Sequence, residues 1–188
     1  KRVSFSRSIR ESLSPRNSEN GGSSRQPTAA REKKQGNLCA RKEKMTDAFV
    51  GTWKAVGDEG SLSDFLTERG VPMPVRKVLE MFSKGGVFQF AFEDNKLCET
   101  EVGMITNTVK PPLPLDGTPQ DLKAPDGTPC VTTATFADGV ITIVEAMNGS
   151  AEDQVVQTLS LDAEGQIRRK FVNKTTGTFT VGILKKQA

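Results

Sequence analysis

The sequence predicts an all-β protein, an up-and-down antiparallel barrel capped by a short helix-turn-helix lid. Three observations predict it. A single strand comes first, two short helices with glycine-rich ends follow, and strands joined by hairpin turns fill most of the chain from residue 87 onward. Consecutive strands that each connect to the next by a tight turn are typical of up-and-down barrels.

The first strand and the first helix are predicted between residues 49 and 70. The strand begins at Phe49-Val50-Gly51-Thr52-Trp53-Lys54, and glycines at 57 and 60 interrupt its pattern. Ser61 can cap a helix, because Asp64 follows three residues later and approximates a capping box. The helix ends at Gly70. Its residues at helical spacing are Leu62, Phe65, Leu66 and Arg69.

A second helix is predicted from Pro74, since proline suits the first helical turn. Its apolar positions are Val75, Val78, Leu79 and Phe82. Gly85-Gly86 ends it, and residues 70–73 join the two helices into a lid.

From residue 88 the apolar pattern has a period of two, which indicates strands. Phe88, Phe90 and Phe92 alternate with other residues, and Asp94-Asn95 turns the chain into a strand over 97–105. Later strands are predicted at 132–136, 140–146, 154–161, 166–174 and 178–185. The turns between them are Asp138-Gly139, Asn148-Gly149, Glu164-Gly165 and Thr176-Gly177.

The segment from Met45 to Lys54 resembles the opening of the intracellular lipid-binding proteins, the family of the fatty acid-binding and cellular retinoid-binding proteins. In that family it is the first barrel strand, with the tryptophan packed into the barrel floor. Residues 70–78, where Arg76 and Lys77 precede Val78, are similar to the family's second-helix entry. The resemblance implies a ten-stranded, calycin-like barrel over residues 45–188.

The resemblance also implies a function: a monomeric cytoplasmic carrier that binds and transports a long-chain fatty acid or another hydrophobic small molecule. Barrels of this size can hold one small ligand. The residues expected to line the cavity are Leu62, Leu66, Met73, Phe88, Phe90 and Phe171. Arg76 and Lys77 on the lid are expected to make transient contact with anionic membranes. An ordinary solvated helix face is the alternative for these two residues.

The carboxylate site departs from the family pattern. Typical fatty acid binders hold the ligand head group with two arginines and a tyrosine, two of them as Arg-x-Tyr in the final strand. This chain has no tyrosine, and Gly182-Ile183-Leu184 stands at the matching place. The strand that normally brings the other arginine has glutamines, at 154 and 157. The standard fatty acid site therefore cannot be transferred to this chain.

The alternation of side chains along the predicted strand 166–174 indicates another residue that could bind the ligand head group. Ile167, Arg169, Phe171 and Asn173 share one strand face, and the opposite face is too charged to be interior. An inward Arg169 needs a ligand carboxylate, water or an internal acid such as Glu101, because an unpaired buried guanidinium is costly. We hypothesise that Arg169 is a relocated head-group anchor. The alternative is a bulge that leaves Arg169 exposed.

The segment from 111 to 129 is rich in proline and contains Asp-Gly-Thr-Pro twice. Proline cannot donate a ladder hydrogen bond, so the segment is expected to be a long surface loop or an edge rather than a central strand. A polyproline patch for a partner is the alternative. It supports a second function hypothesis, in which the fold is reused as a structural or protein-interaction module.

Residues 1–44 are expected to form a disordered basic tail, separate from the barrel of residues 45–188. They carry twelve Lys or Arg against four Asp or Glu, whereas the rest carries fourteen against nineteen. Their few apolar residues show no sustained period, so they cannot bury enough surface to order themselves. Translated upstream sequence or an expression remnant, with Met45 as the natural start, is one interpretation. A phosphorylated or polyanion-binding arm is the other.

The residue types exclude most enzyme chemistry. The chain has no histidine, so a serine triad or a Cys–His dyad lacks its base. The three cysteines are far apart and imply neither a disulfide framework nor an ordinary zinc site. No catalytic residue, metal, cofactor or nucleic acid partner is therefore expected.

Overall fold

The structure is a computed structural model that describes residues 46–103, 106–124 and 127–187. Two helices and eleven strands form there. The helices are α1 (Leu62–Glu68) and α2 (Met73–Ser83). The strands are β1 (Gly51–Gly60), β2 (Val87–Glu93), β3 (Lys96–Val102), β4 (Asn107–Val109), β5 (Leu113–Pro114), β6 (Gln120–Lys123), β7 (Pro129–Ala137), β8 (Val140–Met147), β9 (Gln154–Leu161), β10 (Ile167–Asn173) and β11 (Phe179–Lys186). The predicted tail of residues 1–44 and the predicted start at Met45 lie outside the described residues.

The strands form one antiparallel sheet in the order β4-β3-β2-β1-β11-β10-β9-β8-β7-β6, and β5 pairs with β3. This succession confirms the predicted up-and-down barrel with a helical cap. The described residues form eleven strands rather than the predicted ten. Pro111 and Pro112 lie between β4 and β5, and because neither can donate to a ladder, pairing along β3 is interrupted there.

The proline-rich segment links two strands that are not neighbours in the sheet. Leu115 donates its backbone N–H to the Asn95 carbonyl at 2.9 Å, and Gly117 donates to the Ala134 carbonyl of β7 at 2.9 Å. The Leu115 side chain is only 2% exposed and packs in the core. The expectation of a long surface loop is therefore wrong for residues 113–117, whereas the other expectation, an edge, is confirmed for β5, which pairs with β3 alone. The chain is held there because β3 and β7 both offer pairing groups to this segment.

Trp53 lies at the centre of the main core. Its indole N–H donates to the Phe49 carbonyl at 2.8 Å, so the polar atom of this buried side chain is satisfied. Around it pack the fully buried side chains Leu97, Ile141, Leu159, Ile167 and Leu184. The tryptophan is therefore buried in the interior of the barrel.

The first lid helix begins and ends as the sequence predicts, and the second begins at Met73, one residue before the predicted Pro74. Ser61 Oγ accepts a hydrogen bond from the Asp64 backbone N–H at 3.1 Å, and Gly70 has a φ of 68° after the last turn of α1. Gly86, after α2, lies so close to Phe82 that a Cβ there would come within 2.3 Å of its ring. In the described residues, neither helix is long and apolar enough to cross a bilayer.

The predicted hairpin turns are present. Asp94-Asn95, Asp138-Gly139 and Asn148-Gly149 each place two successive residues at positive φ, as tight turns of this type require. In the strands they join, buried residues alternate with partly buried or exposed ones, which places one face of each strand inside the barrel.

Candidate ligand-binding site

A cavity of about 440 Å³ lies between the two helices and the inner face of the sheet. Its volume falls in the range of ~300–1,000 Å³ usual for small-molecule sites. Five predicted site residues line it: Leu62, Leu66, Phe88, Arg169 and Phe171. Val75, Val78, Leu79 and Phe82, the predicted apolar positions of the second helix, also line it. The lid and the barrel thus share one apolar interior.

Two predicted cavity residues lie elsewhere. Met73, the first residue of α2, is 56% exposed and does not line the cavity. Phe90 is buried in the main core, where it stacks on Phe88 with ring centroids 6.5 Å apart. Only Phe88 of this pair lines the cavity. Phe88 lies opposite Trp53 in β1, whereas Phe90 lies opposite Gly51, two residues closer to the start of β1.

Arg169 points into the barrel, as strand parity predicts, and is 6% exposed. Strand β10 pairs with β9 and β11 without a register shift, so the alternative of a bulge is wrong. The acid that meets the guanidinium is Glu99 rather than the suggested Glu101. Arg169 Nη1 lies 2.8 Å from Glu99 Oε1, and Nη2 lies 3.2 Å from Oε2, which makes a bidentate pair.

The rest of the Arg169 environment is one amide and two aromatic rings. Gln157 of β9 accepts from Nη2 at 3.4 Å. The guanidinium carbon lies 5.2 Å from the Phe88 ring centroid and 5.3 Å from that of Phe171, within range of cation–π attraction. Residues of four strands, β2, β3, β9 and β10, therefore meet at the polar end of the cavity.

Lys110 extends the cluster. Its Nζ lies 2.9 Å from Glu99 Oε1 and 2.7 Å from Glu101 Oε1. Burial alone would raise the pKa of Glu99, but attraction and hydrogen bonds from Arg169 and Lys110 outweigh it and hold that pKa at about 2. Glu99 is thus ionised at neutral pH and pairs with both internal cations, Arg169 and Lys110.

Glu145 of β8 also lines the cavity. Burial raises the pKa of its carboxyl, and the attraction of Lys110 and Arg169 offsets only part of that rise. The carboxyl therefore keeps its proton to a higher pH than an exposed glutamate does.

Every cationic side chain among the described lining residues has a carboxylate partner. Arg69 pairs with Asp153, Lys110 with Glu99 and Glu101, and Arg169 with Glu99. Sequence reasoning missed Glu99, Lys110 and Glu145. Glu99 lies two residues after buried Leu97 on the same face of β3, so its inward direction could have been predicted. Its pairing with Arg169 could not, because Arg169 lies across the barrel and no pattern in the sequence connects the two residues.

A glycine in the final strand, β11, leaves space beside Arg169. Gly182 pairs with Arg169 across β11 and β10 and lines the cavity. A Cβ at Gly182 would meet only the Arg169 carbonyl, at 3.9 Å, an ordinary contact. The space next to Arg169 is therefore open to a ligand.

The two predicted portal residues differ in their surroundings. Lys77 is exposed on the outer face of α2. Arg76 is half-buried and donates a hydrogen bond to Thr67 of α1, so it joins the two helices. Lys84, just after α2, is a second exposed cation near Lys77.

Comparison with solved structures supports the fold. Lipid binding protein 8 of Caenorhabditis elegans, in its apo form, matches with a TM-score of 0.65 and 18% sequence identity. The match covers 75% of this chain and 96% of that protein. No protein-family model matches the chain, and no curated protein matches it in sequence. The likeness to the lipid-binding fold is therefore structural.

Proposed function

We propose that this chain is a carrier that binds a fatty acid or a related lipid in the barrel cavity and transports it through the cytoplasm as a monomer. The observation that carries the proposal is the apolar cavity of about 440 Å³, lined by both the lid and the barrel. The nematode protein that shares this fold is by name a lipid binding protein, which supports the same class of ligand.

In this proposal the two ends of the ligand meet different surfaces. The hydrocarbon chain packs against Leu62, Leu66 and Phe171, and the polar end approaches Arg169 and Gln157. Burial of apolar surface contributes roughly 25 cal/mol per Å², so the hydrocarbon chain of the ligand supplies most of the binding free energy. The head-group site is non-standard, because Arg169 already has a carboxylate partner.

Two measurements test the carrier proposal. Lipid extracted from the purified protein is identified by mass spectrometry, and Nile red, an uncharged dye, is titrated into delipidated protein. We expect a co-purified lipid and saturable dye fluorescence that oleyl lipids reverse. Protein without bound lipid and without saturable dye binding would rule the carrier function out.

A cavity-filling variant makes the test specific to this site. Gly182→Leu places a side chain in the open space beside Arg169 without a close contact at its Cβ. We expect it to weaken Nile red binding about tenfold, equivalent to ~1.4 kcal/mol, while the protein stays folded. Ala137→Leu adds the same side chain at an exposed strand end and serves as the control. Equal loss in both variants would place dye binding outside the cavity.

A further inference from the structure

The cations of the cavity are occupied before any ligand arrives. Both terminal nitrogens of Arg169 are directed at Glu99, at 2.8 and 3.2 Å, and Lys110 Nζ lies within 3 Å of two carboxylates. Glu99 is 5% exposed and reaches Arg169 from β3, on the far wall of the barrel. A ligand carboxylate would have to displace Glu99 or enter beside it.

Either route is unfavourable for an anion. Displacing Glu99 leaves a buried carboxylate without its bidentate partner, and an unpaired buried charge is costly. Entering beside Glu99 adds a negative charge next to Glu99 and Glu101, the two carboxylates that already share Lys110. Among the described residues that line the cavity, every cationic side chain already has a carboxylate partner. None is therefore left to compensate the negative charge of a ligand carboxylate.

A ligand with a cationic head group is disfavoured as well. It would lie next to the guanidinium of Arg169 and the ammonium of Lys110, and the carboxylates nearest to both are already engaged with them. Like charges at short range repel most strongly where water is scarce.

An uncharged polar group meets neither cost. The Gln157 oxygen accepts from Arg169, but its amide N–H groups can donate to a ligand, and the Glu145 carboxyl lines the same cavity. Thr108 and Thr180 contribute hydroxyl groups to the lining. These groups can satisfy a hydroxyl or an amide without any change in the charge of the site.

We propose that the cavity selects a long-chain lipid whose head group is uncharged and forms hydrogen bonds, such as a fatty alcohol or a primary fatty amide, over the free fatty acid. The inference rests on the proposed carrier function and specifies its ligand class. The charge-paired Arg169, which the usual carboxylate site would leave free for the ligand, is the determinant of this selectivity.

Displacement of Nile red by four lipids with one oleyl chain tests the selectivity: oleyl alcohol, oleamide, oleate and oleylamine. Each is used below its aggregation concentration at pH 7.4, with protein-free dye as the blank. We expect the alcohol and the amide to compete at concentrations about tenfold lower than oleate. Competition by oleate or oleylamine that equals or exceeds the alcohol overturns the inference and leaves the carrier function standing. If none of the four displaces the dye, the carrier function and the inference fall together.

Glu99→Gln tests the cause. It removes the charge that neutralises Arg169 while keeping a side chain of the same shape, so oleate should gain about tenfold relative to oleyl alcohol. Glu93→Gln, at an exposed strand end, is the matched control and should leave the ratio unchanged. The double variant Glu99→Gln/Arg169→Gln replaces the ion pair by two amides and should keep the parental preference, even if Glu99→Gln alone does not fold. The role of the Arg169–Glu99 pair is overturned if Glu99→Gln leaves the affinity of oleate relative to oleyl alcohol unchanged. It is also overturned if the double variant no longer prefers the alcohol.

Discussion

Arg169 and Glu99 are the residue pair on which the interior depends. Each is nearly inaccessible to solvent, and each is the other's main partner. A buried ion pair adds little stability over an apolar pair of the same shape, but removing one partner leaves the other charge uncompensated. The pair therefore makes the protein sensitive to substitution on either strand.

Arg169→Ala should lower the free energy of unfolding at pH 7 by about 3–5 kcal/mol, as expected for one partner lost from a buried pair. The sign of the pH dependence follows from Glu99. Its pKa in the folded protein is about 2, below its ordinary value of 4.5, so its contribution is present above pH 4.5 and is lost as the pH falls through 2. The stability difference between parent and variant should shrink over that window. Urea unfolding at pH 7, 4 and 2.5 measures it.

Arg168→Ala is the control for this prediction. Arg168 is the neighbouring arginine, but it faces outward and pairs with exposed Glu59. Exposed pairs contribute little to stability, so this variant should unfold close to the parent at every pH. Equal effects of the two substitutions would contradict the assignment of Arg169 to a buried pair.

At the scale of elements, α2 has two unlike faces. Leu79 and Phe82 face the cavity, whereas Met73 and Met81 lie on the outer surface, with Met81 66% exposed. Lys77 and Lys84 flank these methionines. Apolar and basic groups on one surface of a helix are typical of helices that lie on anionic membranes.

We expect Lys77→Glu/Lys84→Glu to slow ligand transfer from the protein to anionic vesicles, because each basic residue near such a surface contributes roughly 1 kcal/mol. Stopped-flow transfer of Nile red to phosphatidylserine-containing vesicles measures the rate. Transfer to phosphatidylcholine vesicles should change little.

The matched control is Lys96→Glu/Lys185→Glu, which makes the same charge change at exposed strand ends near the barrel floor. If both double variants slow transfer equally, the effect comes from net charge, and α2 has no special role in membrane contact.

At the scale of the molecule, the chain between β4 and β6 connects the two sides of the sheet. Residues 113–117 pair with β3 on one side and hydrogen-bond to β7 on the other. Leu115 fills the core between them. The segment therefore has a structural task within the barrel.

Leu115→Ala should destabilise the protein by about 2–5 kcal/mol, the usual cost of removing a buried leucine side chain. Val109→Ala shortens a side chain in the same region that is 72% exposed, and it should have almost no effect. Thermal unfolding followed by circular dichroism compares the two. A neutral Leu115→Ala would show that the segment is a dispensable surface loop.

The elements of the fold were readable from local chemistry. Ser61 with Asp64 predicts the first helix start, and Asn148-Gly149 predicts a hairpin, because caps and tight turns are made by neighbours in the chain. The inward direction of Arg169 followed from the period of two along its strand. The exposure of Met73 could not be predicted from local sequence, because it depends on how α2 packs against the barrel.

The sequence by itself determined the order of the elements, the capped barrel they form, and the absence of an Arg-x-Tyr pair in the final strand. Only the tertiary structure decided that Glu99 meets Arg169, that Lys110 joins them, and that Leu115 is buried. Strands β3 and β10 are separated in the sheet by β2, β1 and β11 and meet only across the interior. Contacts of that kind depend on the curvature of the whole sheet, which leaves no periodic trace along the chain.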